Sequence, residues 1–109
     1  MGAIDPGKFS RELVLETATR TADDVGGFTE IWAAVATVFA RVEPLRAAAG
    51  VRGDREILSV THRVTIRRRD DVSTGMRFRD GGRLLTVSTV HDPDESGRHL
   101  ECLVREATL

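Results

Sequence analysis

Four arginines, Arg63, Arg67, Arg69 and Arg77, form the densest group of residues in this sequence that could do chemistry. A guanidinium is always charged and offers a planar fork of donors that fits carboxylates and phosphates. Arg63, Arg67 and Arg69 alternate with apolar residues, so they share the polar face of one predicted strand. Residues 61–83 hold seven Arg against three acids, a net of +4. Residues 84–109 hold two Arg against five acids, a net of −3, with Asp92, Asp94 and Glu95 clustered in one turn. The bland alternative is a solvated strand face in a protein from an Arg-rich, GC-rich genome, and the excess of Arg over Lys favours it.

Little else points to a reaction. His62, His91 and His99 lack metal-ligand spacing with one another or with Cys102. The lone cysteine sits in an apolar segment and is expected to be a buried small hydrophobe. There is no nucleophile with its base and orienting partner, and no glycine-rich phosphate loop with a lysine. Gly26-Gly27 and Gly81-Gly82 read as turn residues. No catalytic residue, metal or cofactor is predicted.

The elements that must position these side chains fit in a chain of 109 residues, enough for one domain that buries roughly 65% of its unfolded surface. Fifteen Arg and one Lys balance 17 acids to a net charge of −1, which excludes a globally basic nucleic-acid binder but not a basic patch. No apolar run reaches the length of a membrane span, and the first residues lack a signal-peptide core. A soluble, unexported chain is expected.

Residues 1–10, with Gly, Pro and few apolar side chains, read as a flexible arm, and residues 11–109 as a single domain. From Arg11 a period of two predicts a strand, broken by Asp23, Asp24, Gly26 and Gly27. Residues 28–42 fit two periods. Phe28, Ile31, Trp32, Val35, Val38, Phe39 and Val42 make a helical stripe, while Trp32, Ala34, Ala36, Val38, Ala40 and Val42 fall on one strand face. Trp32 and Phe39 are core anchors or interface anchors in either case. Glu43-Pro44 ends the element.

Residues 45–59 read as a short helix or an ordered surface loop. Beyond them, residues 60–67, 76–79, 83–91 and 98–106 alternate as strands, separated by turns at 70–75, at Asp80-Gly81-Gly82 and at 92–97. In the strand 83–91, Leu85, Val87 and Thr89 oppose Leu84, Thr86, Ser88 and Val90. The expected class is mainly all-β, a small antiparallel β-barrel or sandwich with a short helix or loop insertion.

Taken in order, Gly26-Gly27-Phe28-Thr29-Glu30-Ile31-Trp32, Val38-Phe39-Ala40-Arg41-Val42-Glu43-Pro44-Leu45, Thr61-His62-Arg63-Val64-Thr65-Ile66-Arg67, Gly75-Met76-Arg77-Phe78 and Leu100-Glu101-Cys102 with Glu106 resemble the phage head–tail joining family. These are the head-completion proteins, also called head closure, adaptor or stopper proteins, of long-tailed bacteriophages and phage-derived gene transfer agents. The resemblance spans about residues 8–107; Arg79 is less typical of the pattern, and 50–59 looks variable. It implies a small antiparallel barrel with a long strand over 28–42. It also implies a ring, twelve-fold in the family, between the portal or adaptor protein and the tail terminator or other tail proteins. Packaged double-stranded DNA would lie in its channel. Such a particle component is assembled in the bacterial cytoplasm and has no membrane partner.

A loop from each subunit would reach that channel, and two segments are candidates: 45–59, with Arg52, Asp54, Arg55 and Glu56, and the turn at 70–75. A ring also needs complementary flanks. The segment charges suggest pairing between the 63–83 region of one copy and residues 92–95 or 101–106 of the next. The chief rival is a small nucleic-acid-binding barrel, similar to an oligonucleotide-binding fold, using Arg63, Arg67, Arg69 and Arg77. That face should interleave aromatics for base stacking, and only Phe78 is available.

Overall fold

Leu13 and Leu15 point to one side of the first strand, and four of the five later strands offer them a matching pair, the other supplying Phe78. Val38 and Ala40, Val64 and Ile66, Leu85 and Val87, and Cys102 and Val104 are all buried around Phe78. Apolar residues two apart share a face of a strand, so six such pieces can enclose one core if the sheet curls shut. In the computed structural model, which describes residues 9–45 and 60–108, this is what happens.

The strands are β1 (Arg11–Ala22), β2 (Phe28–Pro44), β3 (His62–Arg67), β4 (Arg77–Asp80), β5 (Arg83–His91) and β6 (His99–Thr108). All pairings are antiparallel, in the order β1-β2-β3-β6-β5-β4, and β4 returns to β1 to close a barrel. The described residues contain no helix. The mainly all-β expectation therefore holds, and the ambiguous stretch 28–42 is a strand. The insertion 46–59 and the arm 1–8 lie outside the described residues.

Two bulges interrupt the alternation. In β1–β2, Leu15 pairs with Ala36 but Glu16 pairs with Ala34, so Val35 is an extra residue on β2. Directly paired residues share a face, and one extra residue exchanges the faces of everything beyond it. Ala36, Val38, Ala40 and Val42 therefore face the core, whereas Ala34 and Trp32 face outward, which corrects the single strand face expected for all six. In β5–β6, Val87 pairs with Val104 and Thr89 with Leu103. Ser88 is the extra residue there, and Val90, opposite buried Cys102, packs against the core rather than with Leu84 and Thr86 on the outside.

The strands differ in how much of their length the barrel uses. β4 pairs with β1 only at Val14, Leu15 and Glu16, and β3 pairs with β2 only from Ala40 to Pro44. Residues 17–22 of β1 and 28–33 of β2 thus keep only each other on their hydrogen-bonding sides, while 34–39 of β2 have β1 alone as a neighbour. Beyond the barrel the two strands continue as a two-stranded ribbon to a turn at residues 23–27. Asp23 organises that turn, its Oδ1 accepting from the amides of Val25 at 2.9 Å and Gly27 at 2.8 Å. The composition of β1 shows where the core stops: the inward positions run Leu13, Leu15, then Thr17, Thr19, Thr21.

The short turn between β4 and β5 behaves as its sequence suggests. Asp80 pairs with Arg83, leaving Gly81 and Gly82 as a two-residue loop. Gly81 has φ of 62° while Gly82 is not positive, the sign pattern of a type II′ hairpin.

Candidate functional site

At the root of the ribbon, on the outer surface, Glu16 lies buried between two arginines of β4. Arg77 Nε donates to Glu16 Oε1 at 2.6 Å and Arg79 Nε to Oε2 at 3.0 Å. Burial alone raises the carboxyl pKa. The two hydrogen bonds and the two positive charges outweigh it, and hold Glu16 below its ordinary value. The Arg77 guanidinium also lies over the Trp32 ring, 3.9 Å from its centroid. Glu16 lies in the short stretch where β4 pairs with β1, so this carboxylate ties the closing seam of the barrel to the base of the ribbon.

A second buried carboxylate, Asp80, sits at the opposite end of the barrel. Arg11 donates to it through Nε and Nη2, and Arg83 through Nε, at 3.0 to 3.2 Å. Burial again acts to raise the pKa, and these partners together bring it below the ordinary value. Arg83 continues to Glu106 at 3.6 Å, and Glu106 lies 3.9 Å from His62. Arg11, Arg41, Pro44, His62 and Arg83 are among the residues lining an open depression of about 420 Å³ at this end. Its arginines are already engaged with acids of the chain: Arg11 and Arg83 with Asp80, Arg41 with Glu43 at 2.9 Å. Beside it the Leu45 amide donates to the Thr61 carbonyl at 2.8 Å, so segment 46–59 leaves and re-enters the sheet at one place.

The sequence-selected residues divide accordingly. Arg63 lies 3.7 Å from Glu43 and 3.6 Å from Glu101, and its buried Nε has no hydrogen-bond acceptor. Arg69 is held by Asp71 through two bonds of 2.9 Å. Arg77 is committed to Glu16 and Trp32. Arg67 is exposed and enters no ion pair among the described residues. Asp92 and Asp94 are exposed or half-buried in a turn whose amides they accept, Asp92 Oδ2 from Gly97 at 2.6 Å and Asp94 Oδ1 from Ser96 at 3.1 Å. Glu95 beside them has a positive φ of 58°. Arg67 pairs with His99 in the β3–β6 register, so this turn and Arg67 share one end of the barrel, with the 70–75 turn. Arg52, Asp54, Arg55 and Glu56 lie outside the described residues.

Neither aromatic anchor belongs to the buried core. Phe39 points outward, 59% exposed, and Trp32 is half-buried beneath Arg77. Cys102 is fully buried, as its surroundings suggested, and burial first, with the Glu101 charge second, pushes its thiol up to about 12. Among the described residues no cluster of His, Cys, Asp or Glu could hold a metal ion.

Sequence reasoning missed Glu16 and Asp80, the two carboxylates that gather the arginines. Glu16 falls in an alternating strand and looks like any polar-face residue. Asp80 reads as the first residue of a tight turn. The available signal was the surplus of seven Arg over three acids in 61–83, which had to be met by acids from elsewhere.

The model of the family described as phage head completion protein matches residues 4–107. The chain belongs to that family. No curated protein matches it. Among solved structures, this head completion protein is similar to the solution structure of protein SF1141 from Shigella flexneri 2a, with 26% identity and a TM-score of 0.74, covering 95% of this chain and 97% of that one. It is also similar to a chain in the virion of a native gene transfer agent particle, with 28% identity and a TM-score of 0.68, covering 92% and 96%. Head completion is a structural task, and the protein is a component of a phage-like particle.

Proposed function

We propose that this head completion protein forms a ring between the portal or adaptor and the tail, acting as an adaptor or stopper that retains packaged DNA in its channel. The observation that carries this reading is the family match over nearly the whole chain, joined to a full-length structural neighbour within a gene transfer agent virion. The barrel suits the role physically: a closed sheet leaves no edge on the body, so contacts with neighbours fall to loops, outer faces and the ribbon. Arg67 and the acidic 92–95 turn share one end of the barrel, and copies related by rotation would meet them at the same level.

Of the two candidate channel segments, 46–59 leaves from the end carrying Asp80, and the 70–75 turn lies at the other. A single constriction would therefore use one or the other. The rival nucleic-acid-binding reading has less to work with, since Arg63, Arg69 and Arg77 already face Glu101, Asp71 and Glu16.

The test is deletion of the gene from a strain that produces the particles, followed by complementation. The expected result is DNA-filled heads that leak their genome and lack tails until the chain is supplied. Normal tailed particles in the deletion strain would remove the reading. Charge reversal of Arg67 and Arg69 checks the flank contact, with loss of infectivity or gene transfer expected.

A further inference from the structure

Among the described residues the ribbon carries two open edges of the sheet. One is β1 from Thr17 to Ala22, the other β2 from Phe28 to Phe39, and they face in opposite directions across the ribbon. Natural proteins protect exposed edges with lysine, proline, inward charges or very short strands. Here there is no lysine or proline in either stretch, and each carries one charge, Arg20 on β1 and Glu30 on β2. Apolar side chains stand beside these edges in the open: Phe28 is 64% and Ile31 55% exposed, and Val25 at the tip 88%. A two-stranded ribbon without a third strand is marginal in water.

We infer that the ribbon is a self-pairing element: the β1 edge of one copy takes the β2 edge of the next, joining the copies through a continuous antiparallel sheet. The inference rests on the ring reading above and names its interface. Charge selects the occupant. The intrachain register sets Arg20 opposite Glu30, and among the described residues neither enters an ion pair; Arg20 leans over the Phe28 ring, 5.3 Å from its centroid. A neighbour's β2 edge in the same register gives Arg20 a second Glu30, whereas β1 against β1 or β2 against β2 brings like charges together. Geometry agrees, because rotation about an axis along the ribbon keeps every β1 in one direction and every β2 in the other. The contact is heterologous, and each copy carries both halves, which is the condition for a closed ring.

The test uses particle-producing cells lacking the gene, complemented with full-length variants, and reads copies of this protein per purified particle. Arg20→Glu and Glu30→Arg should each lower incorporation about tenfold, through like charges repeated at every contact. The double variant should restore it to near the wild-type level. Single variants that incorporate normally overturn the inference while leaving the ring reading standing. If both singles fail and the double does not recover, the ribbon docks on a different protein, whose charges were not exchanged, and self-pairing is overturned. Wild-type chain absent from the particles would instead defeat the ring reading itself. Circular dichroism melts check that each variant folds. Should either charge variant melt early, Ile31→Lys, at an exposed position, supplies the same block, and normal incorporation of that variant overturns the inference.

Discussion

Barrel and ribbon are written in the same two strands, yet they obey different constraints. In the barrel, β1 and β2 each have two neighbours, and their inward side chains Leu13, Leu15, Val38 and Ala40 are almost wholly removed from water. In the ribbon the same strands have one neighbour, threonines replace leucines on β1, and large apolar residues stay exposed. The barrel is specified by its own core. The ribbon leaves its apolar residues to something outside the monomer if it pairs as proposed, and a single strand would then be structural at one end and adhesive at the other.

The sharpest way to break the contrast is to attack the barrel at Phe78. Phe78→Ala empties the centre of the core and should cost about 3 to 5 kcal/mol, a large share of the roughly 5 to 15 kcal/mol that holds a domain together; the shift of the urea denaturation midpoint reads it. A loss below about 1 kcal/mol would mean the core is not the source of stability. Next comes the junction. Glu16→Gln removes the charge that Arg77 and Arg79 share and should cost about 2 kcal/mol, with Trp32 fluorescence shifting as Arg77 loosens. Unchanged stability and emission would disconnect seam from ribbon.

Acid probes both buried carboxylates together. Their native pKa values lie below the ordinary 4.5 of Glu16 and 3.8 of Asp80. Lowered native values mean that the stabilisation is fully present above the unfolded pKa and lost as pH falls through the native one. Thermal stability should therefore be flat from neutral pH down to about pH 5 and decline below it, and Asp80→Asn should make the decline shallower. A ribbon substitution should be the least costly. Ile31→Ser is expected to change monomer stability by less than about 0.5 kcal/mol, measured in the same denaturation assay, while incorporation into particles falls.

Much of this fold is legible in the sequence because antiparallel strands with one buried face alternate visibly. The strand 83–91 and the Gly81-Gly82 hairpin could be placed from alternation and turn chemistry alone. The stretch 28–42 could not, and the bulge at Val35 is the reason: it joins two segments of opposite phase, so a helical stripe fits as well as either strand face. The bulge at Ser88 misplaced Val90 in the same way. The arginine-rich hairpin was legible as composition, but its partners were not. Glu16 and Asp80 lie 61 and 69 residues from Arg77 and Arg11 respectively, and only the closure of β4 on β1 brings either pair together. Charge counts by segment cannot see pairing at that separation.

Val35 has a consequence for how this chain can change over generations. Substitutions there alter one half-exposed side chain, and most should be tolerated. Losing the residue would make Ala34 and Ala36 successive, so ordinary alternation would carry the same pairings, with Trp32 still opposite Ala18 and beneath Arg77. What would go is the local bend and added twist of the bulge, and with them the angle at which the ribbon leaves the barrel. At this position the length of the strand sets where the ribbon points, and the letter matters little.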